Sequence, residues 1–282
     1  MSFCLRVSFF LVFILSASVV FGEDLEPASD EIDTIPMGII NDNLVGIGYS
    51  GNEKLSYDVS YTGGIKIGEL HLQISTLSGR DDTYKIEAFV TTQNGMFSLL
   101  YPINDRHVTL VQGHEKLPYQ SEIWQKEGYS YTSHKLIEYD QKNGVVRHIK
   151  NGKVDHEYIV DGKVNNEFSS FFNSRLMPFK IGEKFIVPTF ADKRRVLVIV
   201  DTVKKVDFKK TLLGHVRTVE IMPIMTFKGL YDKKGDTVIW YTDDECRVPV
   251  RINSKILIGS LTAELTHYEN SACKRYLNSK TN

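Results

Sequence analysis

The residues best suited to chemistry in this chain stand in spacings that chemistry seldom uses. Eight histidines lie at positions 71, 107, 114, 134, 148, 156, 215 and 267, with no H-x-H, no H-E-x-x-H and no Cys/His pairing of metal-ligand separation. No metal site is expected. The sequence also lacks a G-x-S-x-G nucleophile elbow and a phosphate-binding loop. Because a catalytic triad can assemble from distant positions, these absences lower the expectation of an enzyme without abolishing it. No catalytic residue and no cofactor is assigned. Two compact polar groups remain, Asp105-Arg106-His107 and Asp243-Asp244-Glu245, the second just after Trp240. Each has the composition of an acid cluster or a weak cation site, but adjacent charges are what turns ordinarily contain, and the turn reading is favoured.

The cysteines give the sharpest local expectation. A hairpin turn is read at Gly259-Ser260 between the last two strands, and in such a hairpin facing residues have numbers that sum to 519, as Cys246 and Cys273 do. That places the pair at the open end of the hairpin, where the Cα separation suits a disulfide. The remaining cysteine, Cys4, precedes an apolar run and leaves with it if the run is removed.

A basic stretch is a further candidate. Between 180 and 217, ten Lys and Arg residues, among them Lys193, Arg194, Arg195, Lys204 and Lys205, face four acids. Such a surface suits anionic headgroups or acidic envelope polymers, although paired lysines at hairpin tips also protect edges.

The elements that must carry these residues are mostly strands. Residues 1–22 form an apolar leader with one Arg, read as a secretory signal cut after Gly22 and too short for the roughly 20 residues of a span. Residues 23–44 hold seven acids and no base, and are read as a solvated leader. Removing one Arg and those seven acids from totals of 34 basic and 35 acidic residues leaves 33 and 28 in 45–282, a mildly basic body. The near-neutral whole argues against a nucleic-acid binder working by bulk charge. From residue 45 the apolar pattern alternates with period two, and Asn-Gly and Asp-Gly pairs punctuate it. A switch of parity predicts a β-bulge at Gly68-Glu69, and a short helical turn is read at Met96–Leu100. Residues 165–179 break the rhythm: Phe168, Phe171, Phe172, Arg175 and Leu176 fall at helical spacing ahead of Pro178. The three phenylalanines are a candidate ligand-lining stripe, with ordinary core as the commoner role for such a face. The fold class is thus mainly β. One curved antiparallel sheet, an open barrel or two packed layers, spans 45–275 as a single domain with one short amphipathic helix, and 276–282 is a tail.

Several segments resemble the exported bacterial family of domain of unknown function (DUF) 3108. They are Gly51-Asn-Glu-Lys-Leu-Ser-Tyr-Asp-Val-Ser-Tyr, Gly64-Ile-Lys-Ile-Gly-Glu-Leu, Tyr101 to Asp105 with Leu117-Pro118, Glu167 to Leu176, Lys180-Ile-Gly-Glu-Lys, Ile239 to Val250 and Ile258 to Leu265. In the family's helix motif an acidic Asp-x-x-Ser pattern leads into an aromatic pair and an Arg, and in this chain Asn166-Glu167 stands in for the acid. The resemblance implies an exported, mainly antiparallel β protein of the Gram-negative periplasm, and it transfers no catalytic residues. Two function classes stay open. The first is a non-catalytic envelope protein whose partner is a lipid, a lipoprotein or an anionic envelope polymer, with an acyl groove beneath the helix. The alternative is an enzyme acting on cell-wall or surface polysaccharide. Neither involves nucleic acid, and no span is expected in the mature chain.

Overall fold

The computed structural model describes residue 32 and residues 34–92, 96–226, 237–256 and 258–277. The first half of the sheet comprises β1 (Asn52–Tyr61), β2 (Ile65–Thr76), β3 (Thr83–Thr91), β4 (Asn104–Gln112), β5 (Leu117–Glu127), β6 (Tyr131–Asp140), β7 (Val145–Lys150) and β8 (Lys153–Ile159). The second comprises β9 (Lys184–Ala191), β10 (Arg194–Thr211), β11 (Gly214–Thr226), β12 (Thr237–Thr242), β13 (Pro249–Lys255) and β14 (Ser260–Glu269). Helix α1 (Asp42–Gly48) precedes the strands, α2 (Met96–Leu100) joins β3 to β4, and α3 (Glu167–Ser174) joins β8 to β9. All fourteen strands form one antiparallel sheet that runs from β8 down to β1, then from β14 back to β9. The chain is therefore two meanders, joined where β1 pairs with β14. At all the remaining steps sequence neighbours pair, the expected outcome of short Gly-containing turns.

The sheet curls until its flanks meet. Phe190 on β9 packs its ring against Tyr139 of β6, His148 of β7 and Tyr158 of β8, at centroid distances of 6.3, 6.2 and 5.6 Å. The sheet does not close by strand pairing, and the free edge of β9 is covered by two short segments instead. Ile186 exchanges backbone hydrogen bonds with Pro36 and Gly38, and Asn165 bonds to Pro188 and Phe190. This hides donors and acceptors that would otherwise template pairing with another chain.

Antiparallel strands alternate their connections between two ends. At one end, here the rim, lie 62–64, 92, 96–103, 128–130, 151–152, 192–193, 256 and 258–259, and residues 227–236, between β11 and β12, lie outside the described residues. The opposite end, the base, holds the disulfide and the start of the folded chain.

Helix α3 is buried over seven of its eight residues, its polar side included. Its N-cap Asn166 donates to the Thr109 hydroxyl midway along β4 (2.7 Å), and Asn173 reaches the carbonyls of Glu115 and Lys116 at the base (3.2 Å each). The helix thus runs inside the curl from its middle to its base. Asn166 accepts from the Ser169 N–H while Ser169 Oγ accepts from the Asn166 N–H, both at 2.9 Å, a reciprocal cap. In this chain Asn166-x-x-Ser169 is therefore a helix-capping device, and Asn and Asp are comparable N-cap residues.

Three sequence expectations need correction. The extra residue in β2 is Ile67, skipped where Val59 pairs with Gly68 and Ser60 with Lys66, so the bulge lies beside the expected Gly68-Glu69. Gly68 has a different cause: a Cβ there would sit 2.5 Å from the Thr91 carbonyl of the adjacent strand. The solvated leader ends before residue 44, because Pro36 and Gly38 pair with β9, the Asn41 N–H donates to the Leu176 carbonyl (2.9 Å) and Leu44 is buried. Finally, β13 and β14 pair with numbers summing to 515, as Lys255 with Ser260 and Arg251 with Glu264. Cys246 and Cys273 are nevertheless bonded, with Cα atoms 5.6 Å apart. Both lie beyond the strand ends, where the loops absorb the four-residue offset. The signal segment and residues 23–31 lie outside the described residues.

Candidate functional site

Strand alternation turns four residues of β4 inward, Asp105, His107, Thr109 and Val111, while Asn104 and Arg106 face out. Asp105-Arg106-His107 is therefore strand and not a polar turn. Arg106 pairs with Glu87 and lies over Trp124 on the outer face, so the triplet is split between two faces. On β5, Ser121, Gln125 and Glu127 are buried. Arg106 opposes Trp124 and Ile103 opposes Glu127, which sets Asp105 beside Gln125 and Glu127.

The result is a buried carboxyl pair near the rim. The Asp105 and Glu127 side chains lie within hydrogen-bonding reach of each other. The Lys126 N–H donates to Asp105 Oδ1 (3.0 Å), Gln125 Nε2 donates to Glu127 Oε1 (3.2 Å), and Lys135 Nζ of β6 donates to Gln125 Oε1 (3.5 Å). Burial raises the Asp105 pKa, against the pull of those hydrogen bonds and of Lys135. Nearby, burial and then Lys135 push His107 down to about 4, so its imidazole is neutral, and its ring meets Phe168 at 5.1 Å. Burial likewise raises Glu167, in the first turn of α3. Perturbed titratable groups gather at functional sites, and structural polar networks perturb them too. Chemically the group offers carboxyl oxygens and an amide to hydroxyl or amino groups. Among the described residues no cluster of His, Cys, Asp and Glu could hold a metal ion.

A second polar centre lies at the base. Glu53 and Arg175 are both wholly buried and form an ion pair. Arg175 Nη2 also donates to the Gly48 carbonyl (3.2 Å), its guanidinium lies over the Phe172 ring (5.2 Å), and Asn270 Nδ2 donates to Glu53 Oε1 (3.3 Å). The pair ties α3, α1, β1 and the segment after β14 together, so its role is architectural.

The residues expected to bind ligand are dispersed. Phe168, Phe171 and Phe172 are buried in the main core, Phe171 against Phe172 and Tyr241. Lys193 sits in the rim turn before β10, beside Arg194 and Arg195, and Arg194 lies 3.9 Å from Asp192. Lys204 and Lys205 lie about 30 Å further along the same strand, paired with Glu220 (3.8 Å) and Asp243 (2.7 Å). The stretch is thus not one basic surface, and the structure does not bring it to the phenylalanines. In Asp243-Asp244-Glu245, Asp244 accepts from the Thr242 hydroxyl (2.8 Å) and the Cys246 N–H (3.0 Å), a turn role. Sequence reading missed Gln125, Glu127, Lys135 and Glu53. The available signal was parity, since the first two share the phase of buried Ser121.

With this geometry in place, comparison with known proteins assigns the class and then the family. The fold matches a beta-barrel-like protein of domain of unknown function DUF1849 from Brucella abortus, with TM-score 0.51 and 10% identity over 78% of this chain and 97% of that one. Weaker matches are the hypothetical protein CT021 of Chlamydia trachomatis, with TM-score 0.32 and 8% identity over 86% and 92% of the two chains, and an exported protein with a YmcC-like fold from Bacteroides fragilis, with TM-score 0.29 and 9% identity over 83% and 99%. The class is a beta-barrel-like domain. The chain belongs to the family described as protein of unknown function (DUF3108), whose match covers residues 56–266. No curated protein matches it. No helix among the described residues is long and apolar enough to cross a membrane.

Proposed function

We propose that this chain is an exported, non-catalytic envelope protein that holds one amphipathic molecule in the rim half of its curled sheet. The observation that carries this reading is the buried Asp105–Glu127 pair. It lies four residues, about 13 Å, beyond the point on β4 where α3 begins. Barrels of about eight strands are filled by side chains alone, and wider ones enclose ligands or channels. A curl of fourteen strands needs more filling, and α3 supplies it only toward the base. Buried Val90, the cross-strand neighbour of Asp105, and buried Val59 and Val196 near the rim ends of their strands add apolar lining. The molecule suited to such a lining has an alkyl part and a hydroxyl- or amine-bearing head. Export is supported by the leader at 1–22 and by the Cys246–Cys273 bridge.

An envelope hydrolase is the weaker reading. Glycosidase carboxyls stand about 5–9.5 Å apart to flank the scissile bond, whereas Asp105 and Glu127 lie within hydrogen-bonding reach of each other. Titration of the protein with a fluorescent monoacylglycerol and a fluorescent fatty acid of equal chain length tests the proposal. The hydroxyl-headed probe should bind more tightly, and Asp105→Asn/Glu127→Gln should remove the preference. Tighter binding of the fatty acid, or no binding of either, would overturn it.

A further inference from the structure

Both ends of the molecule expose apolar side chains, Ile159 and Ile181 at the base among them, but the ends differ in the acids that surround them. At the rim, Leu99 and Leu100 of α2 are 74% and 66% exposed, Tyr129 in the β5–β6 turn 80%, and Ile258 in the β13–β14 turn 74%. The Tyr129 hydroxyl donates to the Leu99 carbonyl, so the α2 tip and the β5–β6 turn are fastened to each other, while the Ile258 carbonyl accepts from the Tyr61 hydroxyl (3.0 Å). Around them stand five exposed lysines at strand ends or turns: Lys126, Lys150, Lys153, Lys193 and Lys255. None of the five has an ion-pair partner among the described residues. Asp192 is the one acid among the described residues of the rim connections, whereas Asp81, Asp82, Glu115, Asp161, Glu183 and Asp243 sit on base connections.

From these placements we infer that the rim is a docking surface for an anionic lipid bilayer. A monomer rarely exposes large apolar side chains together without a partner for them. A protein partner would call for a matched set of acids and a larger apolar area, whereas apolar tips inside a collar of unpaired lysines match the interfacial layer of a membrane. Leu and Tyr side chains enter the headgroup boundary, and lysines meet the negative surface. Tyrosine suits that depth because its ring is apolar and its hydroxyl wet. The inference stands on the outer rim alone and holds whether or not the interior carries a ligand.

Co-sedimentation of the full chain with vesicles tests it. Vesicles of phosphatidylglycerol and phosphatidylethanolamine should retain the protein, vesicles of phosphatidylcholine alone should not, and added salt should weaken the binding. Lys150→Glu/Lys153→Glu should weaken binding by about tenfold or more, and Leu99→Asp/Leu100→Asp should do the same. The base variant Lys142→Glu/Lys209→Glu should bind as wild type. Hydrogen exchange of vesicle-bound protein should slow at 98–101 and 128–130, a readout that does not depend on the apolar leader. Wild-type affinity in both rim variants, equal retention on neutral vesicles, or no slowing at those segments would overturn the inference. Unchanged unfolding midpoints of the rim variants, whose altered side chains are exposed, separate loss of docking from loss of fold.

Discussion

Glu53 and Arg175 lie 122 positions apart in the chain and meet as an ion pair from which water is excluded. Arg175 follows the interior helix and Glu53 opens the first strand, so their contact fixes the plug to the wall. The ring of Phe172 and the amide of Asn270 complete the enclosure.

Breaking this pair from one side leaves an uncompensated buried charge. Arg175→Met or Glu53→Leu alone should therefore destabilise the protein by about 3–5 kcal/mol. The double variant Glu53→Leu/Arg175→Met should recover much of that loss, because it removes both charges together. Urea unfolding midpoints of the three variants check the cycle.

The Cys246–Cys273 bridge spans 27 residues and holds the loops at the base. Replacing both cysteines by serine should cost roughly 3 kcal/mol. Unfolding of wild-type protein with and without reductant should show the same loss, and the double variant should no longer respond to reductant.

His107 gives the protein an acid-sensitive limb. Its folded-state pKa is pushed down to about 4, whereas an unfolded His titrates near 6.5. Below pH ~6.5 the unfolded chain takes a proton that the folded chain refuses, so stability present at neutral pH is lost as pH falls toward about 4. The full loss is on the order of 3 kcal/mol. Asp105 and Glu167, both raised, act in the opposite sense, since the folded state holds their protons longer as pH rises. His107→Gln should flatten the decline between pH ~6.5 and ~4, measured as the shift in urea midpoint.

The helix cap makes a separate prediction. Asn166→Ala removes both the cap to the Ser169 N–H and the donor to Thr109, and should cost about 1–2 kcal/mol. Asn166→Asp keeps the cap and should cost less. Thermal unfolding of the two variants side by side decides this.

Much of the architecture was legible because alternation and Gly-containing turns are local signals. Strands such as β1, β2 and β4 follow period-two runs, β9 does not alternate, and α3 follows the longest run of helical spacing. What local pattern does not contain is how far the sheet curls. Phe190 meeting Tyr139 and Tyr158 depends on accumulated twist over many strands. The disulfide was legible for a partly mistaken reason, since the hairpin register is four off and the loops beyond the strands make up the difference. The site was hidden because charged residues are normally assigned to the solvent face. Asp105 and Glu127 become readable only once their phase is compared with Val111 and Ser121, their inward-facing neighbours.

A native mass spectrum of the protein purified from its own envelope fraction tests the central claim most directly. The account predicts a species heavier than the bare chain by one small amphipathic molecule, and its absence from Asp105→Asn/Glu127→Gln protein that still folds. Wild-type protein that repeatedly flies at the bare mass, with its fold intact, would contradict it.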